Sequence, residues 1–571
     1  MEKTTPFDIP LLNNEICQYL SPNDLARCVL VSKAWANWFT PTLWRDLDCN
    51  HTTPDIPTLS RRREHIRIVR NISMKNAGAI REQLPFPNLY RLEFQDHSGN
   101  DGVHRANNRF LLALEKASTL QHLQITLSLD LDHIHQQWIR TLQALTCLES
   151  LTLSCHQLVS GMVIQQILHL CLRLQRLSLR FSGCEDYLED EDQLEYDDAR
   201  TAIEKMPEMQ LRELSFRSDI ELYEDNILQP LLERCPRLEK LDLAETGFPP
   251  ALEFLAMLLR ENKLLRLRHL TLKAFWGPEA FEQVFAHISC GLVSVVFLGG
   301  DEELIVQLLI QYHSHSLTIL DIVETIITFG TLSELMTGLP NLQSFAATNH
   351  ASFDDDDEGT VETFFDKRWV CVRLRSLKLS LEGRTGSDEK NVLGYVFSEV
   401  AKLTGVQELS IGCDLKNLYR TTRGYLGRLD NLKQLKVIDL ACNSHCRIGE
   451  QEALWMAKSW PKLLQIYERD TPAIFKATLL QKRPRRHFLR DTKRGTCMEG
   501  RCGVSMCKER GASSTDDLYK DKLGHLPTDN HDGKAGKESD WADHGTDVMR
   551  YQSIKLLRPI TSSSGPQTEK G

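Results

Sequence analysis

The polar and apolar positions of this chain repeat one short phrase, Leu-x-x-Leu-x-Leu. It stands unaltered at Leu148, Leu151 and Leu153, at Leu174, Leu177 and Leu179, at Leu238, Leu241 and Leu243, at Leu267, Leu270 and Leu272, and at Leu374, Leu377 and Leu379. Looser copies begin at Leu89, Leu120, Leu211, Leu292, Leu317, Leu342, Val406 and Leu432. From Leu89 to Leu432 there are 343 positions over 12 steps, a period of about 29. The last two apolar residues of each phrase flank one polar residue, which is the period of a strand with one buried face. Roughly 20 residues then remain for the return, and apolar runs such as 163–174 and 226–238 predict helices there.

A strand, a return and a parallel strand beside the first make a stack of one-unit layers. No layer can bury its apolar face alone, but neighbours can. Each buried leucine contributes about 1.5–3 kcal/mol. The spacing therefore predicts an α/β leucine-rich-repeat solenoid, a horseshoe with parallel strands on its concave face, over residues 89–470. Residues 49–88 read as a transition, with the alternating stretch 65–74 as a first irregular repeat. A 15-residue apolar-rich segment, 452–466, reads as a last helix and strand. Two steps are long because acidic blocks are inserted, near 184–198 and 354–358, and both are expected as loops on one rim. Only the copy at Leu435, Ile438 and Leu440 carries asparagine at its ninth position, Asn443, so the other turns must be held in another way. The polar residue inside each phrase points away from the core. Thr152, Ser178, Ser215, Asp242, Thr271, Asp321, Lys378 and Ser410 are thus the candidate substrate-binding positions of the concave face.

The first 48 residues differ. Three short helices can be read: one over 12–20 with Ile16, Tyr19 and Leu20 on one side; one capped near Ser21-Pro22 or Asn23-Asp24 and carrying Leu25, Cys28 and Val29; and one over 33–39, capped by Ser32, holding Trp35 and Trp38 and stopped by Pro41. About 40 residues rarely supply a sufficient core of their own. Either this segment packs on the solenoid or a spare apolar face awaits a partner.

The order Ile9-Pro10, Glu15-Ile16, Tyr19-Leu20, Ser21-Pro22-Asn23-Asp24-Leu25, Val31-Ser32-Lys33-Ala34-Trp35 and Leu43-Trp44 resembles an F-box, here placed at 9–48. It departs from that pattern by Ile9 for the opening leucine, by Leu11 where an acidic residue is usual, and by Asn13-Asn14. An F-box followed by leucine-rich repeats resembles the substrate-receptor subunits of Skp–cullin–F-box ubiquitin ligases, of a fungal-like type. The resemblance implies that Ile9, Pro10, Ile16, Leu20, Leu25, Val31 and Trp35 bind a Skp-type adaptor and, through it, a cullin–RING ligase. The repeats then hold an unknown protein substrate. Two other readings stay open: a ubiquitin-independent scaffold whose N-terminal helices merely cap the stack, and a nucleic-acid-associated protein acting through a basic tail.

Composition narrows these choices. The 571 residues, 41% hydrophobic and 26% charged, are those of a folded soluble protein. The formal net charge is −10. Residues 481–571 carry 18 Lys and Arg against 13 Asp and Glu, or +5, which leaves −15 on the preceding body. An acidic body favours a protein surface over nucleic acid as partner. The opening residues show no apolar run behind a basic start, and no membrane span is expected. The 16 cysteines are scattered, so they are read as reduced thiols of the cytoplasm or nucleus. Residues 481–571 lose the period and are expected to be disordered. Their evenly spaced Cys497, Cys502 and Cys507 do not make a zinc pattern, so no metal or other cofactor is expected. Phosphate-binding loops, a nucleophile elbow and the His-Glu-x-x-His pattern are absent from the sequence, which predicts no active site.

Overall fold

The structure is a computed structural model, and it describes residues 10–49, 55–73, 86–95, 114–127, 135–155, 159–170, 172–181, 190–218, 227–244, 250–273, 278–299, 302–323, 327–347, 368–381, 389–413, 425–439 and 450–467. The expected disordered tail at 481–571 and the acidic block at 354–358 lie outside those residues.

One parallel sheet of 16 strands runs in sequence order. Its strands are β1 (Asp46–Asp48), β2 (Ile68–Ser73), β3 (Arg91–Gln95), β4 (His122–Leu127), β5 (Ser150–Cys155), β6 (Arg176–Phe181), β7 (Glu213–Ser218), β8 (Lys240–Leu243), β9 (His269–Lys273), β10 (Ser294–Leu298), β11 (Ile319–Val323), β12 (Ser344–Ala347), β13 (Ser376–Leu381), β14 (Glu408–Cys413), β15 (Val437–Asp439) and β16 (Gln465–Tyr467). Helices return the chain between many of them, such as Gly161–Leu170, Pro250–Arg260 and Glu302–His313. This is the leucine-rich-repeat solenoid that the period predicts. The alternating stretch at 65–74 supplies β2, and the segment at 452–466 supplies the helix Glu450–Ser459 and β16.

The leucines of the phrase form continuous buried rows. Leu151, Leu177, Leu214, Leu241, Leu270, Val295, Leu320, Phe345, Leu377 and Leu409 are neighbours in register and all buried. A further buried position precedes the first leucine of many phrases by three residues, as at Phe86, Ala117, Leu145, Cys235, Leu264, Leu339 and Cys371. Its carbonyl accepts the N–H of that leucine, for example Leu238 to Cys235 at 3.1 Å and Leu374 to Cys371 at 3.0 Å. This extra position explains one misplaced phrase. The copy read from Leu432 is out of step by three residues, because Ile438, not Leu435, pairs with Leu409. The true phrase begins at Leu435, and Leu432 occupies the extra buried position.

The entries to the strands are held by backbone. The carbonyl entering each strand accepts two N–H groups from the next repeat. Glu149 accepts from Gln175 and Arg176, Gln175 from Arg212 and Glu213, and Arg212 from Glu239 and Lys240, all within 3.1 Å. The same pairing runs from Arg45, just before β1, to Lys436, just before β15. The ninth positions of the phrases, Asn443 among them, lie outside the described residues.

Two expectations about local structure are corrected. Part of the first acidic block is helical, since Asp190–Glu204 forms a helix with Ala199 and Ile203 buried beneath it. Arg200 pairs with Glu204 at 3.1 Å one turn on. Residues 184–189 lie outside the described residues. Secondly, Pro41 does not stop the third N-terminal helix, which runs Lys33–Leu43. The Trp44 N–H still reaches the Thr40 carbonyl at 3.0 Å, so only the proline's own bond is missing.

Candidate docking and recognition surfaces

Before the sheet stand α1 (Pro10–Tyr19), α2 (Pro22–Val29) and α3 (Lys33–Leu43). Serine caps start the last two. The Ser21 Oγ accepts the Asp24 N–H at 3.2 Å and donates to Asp24 Oδ2 at 2.7 Å, with Pro22 at the first helical position. The Ser32 Oγ accepts the Trp35 N–H at 3.2 Å. Both caps satisfy helix-end donors that would otherwise be orphaned.

Cys17, Leu25 and Phe39 form a core separate from the solenoid's, and Ile16, Leu20, Cys28, Val29, Trp35, Trp38 and Leu43 pack around it. The Trp35 and Phe39 rings meet with centroids 5.4 Å apart. Of the expected adaptor-binding residues, Leu25 is 5% exposed and sits inside this core, so it belongs to the packing of the three helices and not to an exposed face. Ile16, Leu20 and Trp35 are half-buried at its edge. Val31 lies open at 63% exposure. Ile9 falls outside the described residues, and Pro10 opens α1. Sequence reasoning missed two neighbours in the chain, Leu30 at 85% and Tyr19 at 66% exposure. The missing signal was the turn after α2, where the chain leaves the helix and cannot fold both Leu30 and Val31 inward.

The eight residues expected on the concave face fall in one register row. Gln124 pairs with Thr152, Thr152 with Ser178, Ser178 with Ser215, Ser215 with Asp242 and Asp242 with Thr271. The row continues through Val296, Asp321, Ala346, Lys378, Ser410 and Asp439. Residues two positions before and after belong to the same face, because a strand alternates sides with period two. They add Arg176, Lys240 and His269 on one side and Arg180, Arg217 and Lys273 on the other. The phrase singled out only its middle residue, so these flanking rows were not found.

Several of these groups are tied to one another. Asp242 Oδ2 accepts from Arg217 at 2.9 Å and from Ser215 at 3.1 Å, while its Oδ1 accepts the Ala244 N–H. Ser410 donates to Asp439 at 3.4 Å. The His122 Nε2 lies 2.6 Å from the Tyr90 hydroxyl, and burial with the nearby Arg176 and Arg91 holds its imidazole below the usual range. Asp321 differs. Its Oδ1 is buried and has no hydrogen-bond partner among the described residues. Desolvation raises its carboxyl to about 6, against a smaller downward pull from Lys378. Among the described residues no three His, Cys, Asp or Glu side chains gather into a metal site, and no helix is long and apolar enough to cross a membrane.

Residues 14–50 match the F-box-like family model. The N-terminal segment is an F-box-like domain. Its matched span begins within α1 and ends just beyond β1, whereas the sequence pattern placed it at 9–48. A search of curated proteins finds no match to this chain. Among solved structures, a leucine-rich-repeat protein of Leptospira interrogans is 15% identical, covering 76% of this chain and 98% of its own, with a TM-score of 0.29. The yeast complex of Rad7 and Elc1 offers a chain 15% identical, covering 72% of this chain and 81% of its own, with a TM-score of 0.35. The solenoid assignment rests on this chain's own strand order. The protein thus joins an F-box-like domain to a repeat solenoid.

Proposed function

We propose that the chain is the substrate-recognition adaptor of a Skp–cullin–F-box ubiquitin ligase, working in the cytoplasm or nucleus without catalysis of its own. The F-box-like domain docks a Skp-type adaptor, and the concave row binds a protein substrate. The observation that carries this reading is the apolar Leu30-Val31 turn with Tyr19, left exposed on a helical unit that already has a core. Exposed apolar residues on a small helical unit are suited to a partner interface. Rate enhancement then comes from tethering, which replaces a bimolecular encounter with a local one.

Co-expression with a Skp-type adaptor tests the proposal. The adaptor is expected to co-purify with the full chain and to be lost on deleting residues 10–43, with the solenoid's thermal unfolding retained. The double substitution Leu30→Glu with Val31→Glu should do the same without truncation. Adaptor retained by that double variant and by the deletion would refute the docking face.

The capping scaffold keeps one observation in its favour, since β1 follows α3 at once and pairs with β2. A chain that binds a substrate yet never the adaptor would establish it.

A further inference from the structure

The residues that open the strands form a ladder along one rim of the sheet, and near its far end that rim holds a groove. The Gln343 carbonyl accepts the N–H groups of Arg375 and Ser376, that of Arg375 accepts from Gln407 and Glu408, and that of Gln407 from Lys436 and Val437, all within 3.0 Å. These residues therefore follow one another at strand spacing, and Gln343 to Gln407 spans about 9.6 Å with Arg375 between them. Together with Val372, Arg373, Gly405 and Gln434 they line a groove of about 480 Å³. Gly405 puts no side chain into this space, and a Cβ there would lie 3.4 Å from the Leu374 carbonyl oxygen. Val372 stands open at its edge, 69% exposed.

The lining carries two arginines and no acid. Lys462 donates to Gln434 Oε1 and adds a further cation, while Lys433 and Lys436 stand close to Gln434 in the chain. The partners these cations do have are neutral: Arg373 donates to Asn341 Oδ1 at 3.0 Å, and Lys433 to the Ser459 carbonyl at 3.0 Å. Among the described residues no carboxylate forms an ion pair with Arg373, Arg375, Lys433, Lys436 or Lys462. Glu408 follows Gln407 but accepts from Ser376 at 3.3 Å. Earlier in the stack the same rim neutralises itself, as where Arg212 meets Glu239 at 3.9 Å. The groove is thus a cationic spot on an acidic body.

We propose that this rim groove is a protein-binding site separate from the concave row, and that it takes an extended acidic peptide segment of a partner. Carboxylates of that segment pair with Arg373 and Arg375, whose planar guanidinium groups can each offer a carboxylate two parallel N–H donors. Gln343 and Gln407 offer both a donor and an acceptor, which is what a peptide backbone requires. A span of about 9.6 Å accommodates roughly three extended residues. Nucleic acid suits the groove less well. Its lining holds no aromatic ring on which a base could stack, and the acidic body repels a long phosphate chain. The inference needs neither the F-box-like domain nor the concave row, so it stands or falls apart from the adaptor reading.

The test uses the full chain and fluorescein-labelled peptides capped at both ends, one with three glutamates between alanines and one with glutamines in their place. Binding is read by fluorescence polarisation. The glutamate peptide is expected to bind about tenfold tighter than the glutamine peptide. That preference should vanish in the double variant Arg373→Gln with Arg375→Gln and persist in Arg212→Gln, which removes a cation from another part of the same rim. Arg375→Gln alone breaks no hydrogen bond of the described residues, and it should weaken the glutamate peptide selectively even if the double variant folds poorly. Equal binding of the two peptides, no binding of either, or a preference unchanged in both Arg375 variants would overturn the site. A preference lost equally in Arg212→Gln would show a diffuse charge effect and overturn it too. A labelled oligothymidylate bound more tightly than the glutamate peptide would assign these cations to nucleic acid instead. None of these results would alter co-purification of the Skp-type adaptor.

Discussion

Single side chains on the concave face either belong to a local hydrogen-bond set or stand apart from one. Asp242 is held by Arg217, Ser215 and the Ala244 N–H, so replacing it removes the acceptor of three hydrogen bonds. Asp321 has no such set, and its charge opposes folding. Its carboxyl titrates near 6 in the folded chain, against about 4 in an unfolded one. The folded state therefore retains a proton that the unfolded state has already released. The destabilisation is full above pH 6, shrinks as pH falls between the two values, and is gone below about 4. Asp321→Asn removes it. Chemical denaturation at pH 7.5 should find the variant more stable, by at most about 3 kcal/mol, with the difference collapsing at pH 4. A gain that persists unchanged at pH 4 would mean that the charge is not its cause.

At the scale of elements, the two halves of the protein obey different controls. The helices of the F-box-like domain depend on caps, because a core built on Cys17, Leu25 and Phe39 is too small to impose their ends. Ser32→Ala should cost about 1 kcal/mol, lowering the unfolding midpoint of this domain and leaving that of the solenoid unmoved. Tryptophan fluorescence can separate them, with Trp35 and Trp38 in the domain and Trp455 and Trp460 meeting edge to face, centroids 5.0 Å apart, near the far end. A matched fall in both midpoints would sink the separation. The serine caps and the strand rows were legible in the sequence, since each follows from a local rule: an oxygen three residues before an N–H, or alternation with period two. Three features were not. The phrase at Leu432 was misplaced because two leucines, one per turn position, fit the same template. Leu25 was assigned to a surface because the family pattern ranks residues by recurrence and not by which side of a helix they face. The carboxylate at Asp321 looked like any other polar phrase residue, and only register revealed that both its neighbours are apolar or small.

For the whole molecule, the decisive question is where the domain ends and the stack begins. The sequence pattern closes the F-box-like segment at residue 48, yet Asp46, Leu47 and Asp48 are already a strand paired with Ile68, Val69 and Arg70. Arg70 donates to Asp46 at 2.6 Å, and Asn71 donates to Asp48 at 3.0 Å. A strand only three residues long, with an aspartate at each end, blunts the sheet's edge and discourages pairing with another chain. Removing it would uncover β2, six residues carrying Ile68, Val69 and Ile72, with a row of unpaired backbone groups. Two truncations should therefore part company. A chain lacking residues 10–43 keeps β1 and should elute as a monomer that unfolds like the intact solenoid. One lacking residues 10–49 loses β1 and should form oligomers whose fraction grows with concentration. Identical elution of both truncations would show that β1 guards nothing, and that the domain can be excised at its sequence boundary. Should they differ, the helices of the F-box-like domain lead directly into the strand that seals the stack, so that segment also sets the register from which every row of the concave face is counted.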